Sequence, residues 1–323
     1  MTEAYYLFEQ FPELVVLTLV MVIDWVLPAP HKLSLVPFFK LLAEGFTRKV
    51  ATKGSAKQQT LAGFLALFVY LFLILTILLS ILFVVQNDVW TQGLLLYLSL
   101  GYQGFAAQAK SIASAVQKQQ KSACRYLLSQ YSPYDTSKLS LLGIKKLTIE
   151  TQMTRFVSLW LMPILLFIFF NGVCAFVYRA IIEAYYIWLP QRHGFSQFGT
   201  AVYKIKNVFE LIPTFILAPA FSVFKSSPGW LSIIKKLKGE WLASRISSYS
   251  SLIWLSIVSA GCRIELAGPL MLDGVKLTRP RINQAKDVND NAIIDIISWV
   301  NRFRMTFILF NSVIIITLVL TNK

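Results

Sequence analysis

Long stretches without charge alternate with short basic segments along this chain. The stretch 61–85 holds no charged residue, and 89–109 is again uncharged after a short polar break, so the two predict a helical hairpin. About 20 apolar residues in a helix cross a bilayer core of about 30 Å. The pattern therefore predicts an all-α integral membrane protein, a single domain over 1–323, with further transmembrane helices at 12–27, 156–178, 202–224 and 305–321.

A loop rich in Ser, Pro and Asp leads through a basic segment into the uncharged stretch 156–178. Asp135 in that loop is placed to cap a helix predicted at 137–151. Lys146 and Glu150 are four residues apart on this helix, a spacing at which opposite charges can pair. Its apolar positions predict a partly amphipathic helix that lies on the membrane surface.

Composition and charge agree with a membrane protein. Apolar residues make up 56% of the chain, whereas about 45–50% is usual in soluble domains, and the mean hydropathy is +0.59. Of the 31 Lys and Arg residues, 26 lie in three basic segments between apolar stretches. The positive-inside rule places segments 28–60, 110–155 and 225–304 in the cytoplasm of a bacterial inner membrane, provided that 246–262 is a buried or membrane-dipping helix.

Several functions are disfavoured by the same residues. The net charge of +15 accompanies no nucleic-acid-binding motif, so orientation in a membrane accounts for it and no nucleic-acid partner is expected. The three cysteines are scattered and only two histidines occur, which argues against a disulfide framework or a zinc site. The lipid bilayer is the predicted partner, and a homo-oligomer stays open.

Asp24 is the first candidate for chemistry. It lies inside the first apolar stretch, beside Trp25, and His31 follows after two prolines. A carboxylate at membrane depth is costly, so it should face a cavity or a partner. Two interpretations stay open, a site residue at the membrane face or a structural pair with a basic residue.

A second candidate region begins near residue 261. Asp273-Gly274, flanked by alternating apolar residues, predicts a β-hairpin. Lys276, Arg279 and Arg281 follow on a loop shaped by Gly and Pro. These cations could hold a phosphate, or they could form a basic cytoplasmic loop near anionic lipid.

Four blocks of residues resemble the adenosylcobinamide-phosphate synthase family of cobalamin biosynthesis (CobD/CbiB). They occur in the family's order and cover nearly the whole chain. The blocks are Asp24 to His31; Asp135-Thr136-Ser137 with Leu139, Ile144 and Ile149-Glu150; Pro163 with Tyr178-Arg179-Ala180; and Gly261, Arg263, Gly268-Pro269, Gly274 and Arg279-Pro280.

The resemblance implies an amide-forming membrane ligase that joins adenosylcobyric acid, a corrinoid, to aminopropanol phosphate with ATP and magnesium. It implies three candidate catalytic carboxylates, Asp24, Asp135 and Glu150, while the metal ligands stay unassigned. The implied substrate- or phosphate-binding residues are His31, Thr136, Arg179, Lys276, Arg279 and Arg281. The implied structural loop residues are Gly268, Pro269, Asp273, Gly274 and Pro280.

The chain departs from the family's pattern at its acidic positions. After Glu150 the family has SVAEN..DG, whereas residues 151–159 read TQMTRFVSL. The block after Arg179 lacks the expected Asn and Asp, and 204–207 reads KIKN where the family has RLDD. Because carboxylates and phosphates hold magnesium, these losses should weaken magnesium-nucleotide binding. The alternative is therefore a non-catalytic AmpE-like membrane sensor or regulator, acting in β-lactamase induction or cell-wall signalling.

Overall fold

The computed structural model describes residues 11–27, 35–50, 54–85, 88–192, 194–224, 226, 229–244, 248–283 and 288–321. Within these residues the chain is helical apart from connecting segments and four short strands. The predicted all-α class is therefore confirmed. His31 lies outside the described residues.

Thirteen helices and one π-helical turn occur in the described part of the chain. The first six are α1 Pro12–Val26, α2 Val36–Val50, α3 Ala56–Val85, α4 Val89–Ser99, α5 Tyr102–Gln117 and α6 Lys121–Ser129. Helix α7, Leu141–Phe156, continues through the π-helical turn Val157–Leu161 into α8, Met162–Phe169. The remaining helices are α9 Gly172–Ile187, α10 Thr200–Phe224, α11 Trp230–Ala243, α12 Tyr249–Cys262 and α13 Ala292–Thr321.

Three helical stretches are long and apolar enough to cross a membrane, judged by length and composition. They are Ala56–Val85, Leu141–Phe169 and Thr200–Val223. On the first of them, large apolar side chains face outward, with Phe68 68% and Phe83 90% exposed. An apolar outer surface of this extent suits lipid and not water.

Two of the predicted transmembrane stretches, 89–109 and 156–178, each contain a break between two helices. The first is interrupted between α4 and α5 at Leu100 and Gly101. The second ends at Phe169, and Asn171 starts α9 by accepting a hydrogen bond from the backbone N–H of Cys174 at 2.9 Å. A polar cap inside an apolar stretch can end one helix and begin another, which hydropathy alone does not detect.

Helix α7 lies in the core, and the prediction that it lies on the membrane surface is wrong. Ile144, Ile149 and Met153 on this helix are fully buried. Helices α5, α6 and α13 and strand β1 pack around it. Its cap is Ser140, whose hydroxyl oxygen accepts from the backbone N–H of Gly143 at 3.1 Å, so the prediction of Asp135 as the cap is also wrong.

Four short strands follow α12 and form two antiparallel pairs. Strand β1, Leu266–Ala267, pairs with β4, Arg281–Ile282, and β2, Leu270–Leu272, pairs with β3, Val275–Leu277. Asp273 and Gly274 join β2 to β3 with φ values of 47° and 78°. Positive φ at both central residues is the requirement of the tight hairpin turn, so the predicted β-hairpin is confirmed.

Helix α12 is short and buried. It has 14 residues, a length of about 21 Å, which is less than the bilayer core. Ser248 caps its start, and Arg263 ends it in the left-handed conformation. The prediction of a buried helix over 246–262 agrees with these bounds.

A cluster of buried aromatic rings joins α7, the π-helical turn, α10 and α13. The Phe156 ring stacks on Trp160 at 5.5 Å between ring centroids. The Phe221 ring of α10 lies 3.8 Å from Trp299 and 4.9 Å from Phe303 of α13. Because these rings are buried, they hold α7, α10 and α13 in fixed relative positions.

Candidate functional site

Glu150 of α7 meets the loop between β1 and β4. Its Oε2 atom lies 2.5 Å from Nη2 of Arg279, and its Oε1 atom accepts from the backbone N–H of Ala267 at 2.7 Å. The Nε atom of Arg279 donates to the carbonyl oxygen of Gly268 at 2.8 Å. Glu150 and Arg279 are both buried. Both oxygens of this carboxylate are therefore engaged by protein donors.

The backbone of the loop is shaped for this contact. Ala267 and Gly268 have φ values of 60° and 101°. The left-handed region is uncommon for a residue with a Cβ atom. This conformation brings the Ala267 N–H to Glu150 and the Gly268 carbonyl to Arg279. Of the two prolines in the same block, Pro269 is exposed and Pro280 is half-buried.

Lys146 does not pair with Glu150, so that predicted pairing is wrong. The Lys146 ammonium instead forms an ion pair with Glu265. Arg281 lies 3.6 Å from the same Glu265 carboxylate. The pairing differs because the loop after α12 brings two new charged partners, Glu265 and Arg279, to α7, and sequence spacing along one helix does not include them.

Asp135 and Thr136 lie in the loop before α7 and form hydrogen bonds with backbone groups of neighbouring segments. The Oδ2 atom of Asp135 accepts from the backbone N–H of Gly274 at 2.9 Å, and its own N–H donates to the carbonyl oxygen of Met271 at 2.9 Å. The Thr136 hydroxyl donates to the carbonyl oxygen of Arg125 at 3.0 Å. Both side chains therefore tie this loop to its neighbours, and Asp135 joins it to the β-hairpin.

Asp24 forms a buried ion pair with Arg304 of α13. The Oδ2 atom of Asp24 lies 2.7 Å from Nη2 of Arg304, and both side chains are almost completely buried. The guanidinium lies 5.0–5.6 Å from the ring centroids of Trp25, Tyr102 and Trp160, within cation–π range. Of the two interpretations of Asp24, the pair with a basic residue is present, and Asp24 also lines a cavity.

This cavity is the larger of two next to the predicted site residues, with a volume of about 490 Å³. It lies beside the junction of α4 and α5, the loop after α6 and helix α9. Its polar and charged lining residues are Asp24, Lys40, Glu44, Thr47, Gln103, Gln108, Gln130, Ser132, Arg155, Arg179, Glu183 and Arg192.

Arg179 of α9 is the predicted phosphate ligand that lines the large cavity. Its Nη2 atom lies 2.9 Å from Oε1 of Glu183, and its Nη1 atom donates to the carbonyl oxygen of Ser99 at 3.4 Å. A Cβ atom on Gly101 would lie 2.3 Å from Nη1 of Arg179, so only glycine leaves room for the guanidinium. The N–H of Gly101 donates to the carbonyl oxygen of Leu159, in the π-helical turn, a feature often found near functional sites.

A smaller cavity of about 80 Å³ lies against Glu150, Arg279 and Lys206. Arg155 and Tyr186 line both cavities and so form part of the wall between them. Arg155, Glu183 and Tyr186 were not predicted as site residues. The signal for Arg155 was the departure of residues 151–159 from the family pattern, because Arg155 stands where the pattern has Asn.

The smaller cavity contains further polar groups. Burial raises the pKa of the Tyr134 hydroxyl to about 12, so this hydroxyl is protonated at neutral pH. Lys206 pairs with Glu210 at 2.7 Å. Glu210 also accepts from Ser158 and Ser250. The two buried charges of α10, Lys206 and Glu210, therefore neutralise each other.

The remaining predicted basic residues lie on the surface. Lys276 is exposed on β3, and Arg281 is 65% exposed on β4. Neither lines either of the two cavities. Asp273 lies at the hairpin turn, with its carboxylate 4.0 Å from Nε of Arg192.

The three candidate carboxylates do not come together in one place. Asp24, Asp135 and Glu150 each bind a different protein partner. Among the residues that the structure describes, no three His, Cys, Asp or Glu side chains come together in a way that could hold a metal ion. Magnesium is usually held by one or two carboxylates together with phosphate oxygens and waters, and each of these three carboxylates already accepts from a protein donor.

Comparison with known proteins gives one match. No curated protein and no solved structure matches the chain. A family model described as CobD/Cbib protein matches residues 17–300, and this match spans most of the 323 residues. The chain therefore belongs to the CobD/Cbib protein family and is a membrane protein of the cobalamin-biosynthesis family.

Proposed function

We propose that this chain is a non-catalytic member of its family, a membrane-embedded sensor or regulatory protein that binds a ligand in the large cavity. The observation that carries this proposal is the separate engagement of the three candidate carboxylates, Asp24, Asp135 and Glu150. An amide-forming ligase that uses ATP needs carboxylates available to magnesium. A protein that only binds a ligand needs a cavity for that ligand and no carboxylates for magnesium.

The Glu150–Arg279 pair supports the loss of catalysis. Freeing one member of a buried ion pair costs about 3–5 kcal/mol, because the other charge stays buried without a partner. Glu150 also accepts the Ala267 N–H. A magnesium ion at this carboxylate would have to compete with these two donors.

The second candidate function is the family's synthase reaction, joining adenosylcobyric acid to aminopropanol phosphate. The family match over residues 17–300 favours it. For this reaction, Glu150 or Asp24 would have to exchange its protein partner for a metal ion. AmpE-like control of β-lactamase induction or cell-wall signalling is the form of regulation that we propose for the non-catalytic protein.

Complementation tests the two functions against each other. The full chain is expressed in a synthase-deficient strain that is supplied with cobyric acid, with an authentic synthase as the positive control and immunoblotting of membranes to verify expression. We expect no growth, because magnesium-nucleotide has no donor set. Growth at the rate of the control would overturn the proposal.

A binding measurement on the purified protein adds an independent test. We expect calorimetry with millimolar magnesium-ATP to give no saturable heat. Saturable binding that Glu150→Gln abolishes would show that the carboxylate serves a nucleotide site, and would count for the synthase.

We also propose that the protein has six transmembrane helices in a bacterial inner membrane, with its basic segments in the cytoplasm. Single cysteines at Asp88, Lys138 and Lys276, all exposed positions, can be labelled with a membrane-impermeant maleimide in whole cells. We expect labelling only at position 88, with all three reactive after lysis. Lys138 and Lys276 on opposite sides of the membrane would contradict this topology.

A further inference from the structure

The large cavity contains more buried positive charge than its own acids balance. Arg155 and Glu183 are 6% and 4% exposed, and Arg179 is 6% exposed. Of the buried acids that line it, Asp24 pairs with Arg304 at 2.7 Å and Glu183 pairs with Arg179 at 2.9 Å. No carboxylate in the described part of the chain lies within ion-pair distance of Arg155. A buried charge without a counter-ion is costly, so this site is one negative charge short.

The Arg155 guanidinium is held in place by aromatic rings. Its Cζ atom lies 3.5 Å from the ring centroid of Tyr186 and 4.3 Å from that of Phe105. Stacking occupies the faces of the planar group and leaves its N–H groups for in-plane hydrogen bonds. One of them reaches the carbonyl oxygen of Tyr131 at 3.5 Å. This arrangement suits two-point binding of a carboxylate or phosphate.

Arg179 supplies a second, independent observation. Its Nε atom is buried and has no hydrogen-bond partner in the described part of the chain. Both side chains line the large cavity, so two positive charges face the same space. One anion between them would relieve the repulsion and occupy unused donors.

We propose that the large cavity binds an amphiphilic anion whose carboxylate or phosphate group is held by Arg155 and Arg179. The volume of about 490 Å³ is typical of small-molecule sites. Leu98, Ile187 and Phe195 provide apolar lining for the body of such a ligand, while Gln103 and Gln108 provide amides. This inference rests on the proposed ligand-binding function and names the chemical class of the ligand.

The anionic group can belong to a soluble molecule or to a lipid head group, and the test separates these sources. The full chain is placed in nanodiscs of phosphatidylcholine, and inorganic phosphate replaces chloride at constant ionic strength. We expect 10 mM phosphate to raise the unfolding midpoint by about 2–4 °C, for a site of about millimolar affinity. The second arm uses nanodiscs with phosphatidylglycerol and no phosphate.

Variants test whether the anion-induced shift of the unfolding midpoint comes from binding in the large cavity. Each variant is compared with its own anion-free midpoint, so a change in basal stability does not affect the result. We expect Arg155→Gln to abolish the shift and Arg155→Lys to retain part of it, since lysine keeps the charge without the planar fork. Arg302→Gln, on the exposed face of α13, should keep the full shift.

The outcomes distinguish the sources and can overturn the proposal. A shift with phosphate alone supports a soluble ligand, and a shift with phosphatidylglycerol that Arg155→Gln removes supports a lipid head group. No shift with either anion, or an equal shift in wild type and Arg155→Gln, would overturn the anion site. Growth in the complementation test together with an Arg155-dependent shift would overturn the non-catalytic function and leave the anion site in place.

Discussion

Two buried charges on helix α7, Glu150 and Arg155, differ in how completely protein groups pair with them. Near its middle, Glu150 has a donor on each carboxylate oxygen, from Arg279 and from Ala267. At its end, Arg155 has aromatic rings on its faces and a single carbonyl contact. The first region is complete without a ligand, whereas the second has unused donors. From this difference we infer that the Glu150 carboxylate is structural and that the proposed ligand site lies about one turn further along the helix.

The largest loss of stability should come from removing Arg279, the ion-pair partner of Glu150. We expect Arg279→Met to lower the free energy of unfolding by about 3–5 kcal/mol, because Glu150 is left charged and buried without its partner. Chemical unfolding in detergent micelles measures the change. The matched control Arg281→Met, on the same loop but 65% exposed, should stay within about 0.5 kcal/mol.

A double variant tests whether Glu150 and Arg279 act as a pair. Replacing Glu150 by Leu together with Arg279→Met should recover most of the lost stability, since both charges are then removed. With Glu150→Leu as the second single variant, a loss in the double variant equal to the sum of the two single losses would show that the pair has no coupling energy.

An intermediate effect is expected from Gly101→Ala at the edge of the large cavity. The new Cβ atom would lie 2.3 Å from Nη1 of Arg179, so the guanidinium or the helix junction must move, at a cost of about 1–3 kcal/mol. Unfolding measurements and phosphate titration both follow this change. Gly104→Ala is the matched control, because nothing lies within 4 Å of its Cβ position, and it should be neutral or stabilising.

The smallest effect on stability should come from Arg155→Gln in anion-free buffer. Removal of an unpaired buried charge offsets the lost stacking on Tyr186 and Phe105, so we expect a change within about 1 kcal/mol. The comparison between the two regions of α7 would fail if this variant lost as much stability as Arg279→Met. Chemical unfolding under identical conditions decides between these results.

Features set by short-range chemistry were predictable from the sequence. The apolar stretches predicted helices and a membrane, and Asp273-Gly274 predicted the hairpin turn that its two positive φ values form. The separate blocks that contain Glu150 and Arg279 were both identified as site candidates, and they meet in the fold. Their contact was not predicted, because spacing along the chain carries no information on approach between distant segments.

Other features depended on neighbours that the local pattern does not include. Helix α7 was predicted on the membrane surface because its apolar positions make it partly amphipathic, yet α5, α6 and α13 cover it. Lys146 was predicted to pair within its helix, but Glu265 approaches from the loop after α12. The helix breaks at Gly101 and Asn171 depend on a close packing contact and a polar cap inside apolar stretches.

Hydropathy and turn preference act between residues close along the chain, so the sequence alone was enough to predict a lipid environment, the helical class and the β-hairpin, but not where each helix begins and ends. Only the tertiary structure decided which charges are neutralised. Glu150, Asp24 and Lys206 find partners, while Arg155 is stacked between rings without one in the described residues. The physical reason is that the energy of a buried charge depends on every group packed around it, and those groups come from distant parts of the chain.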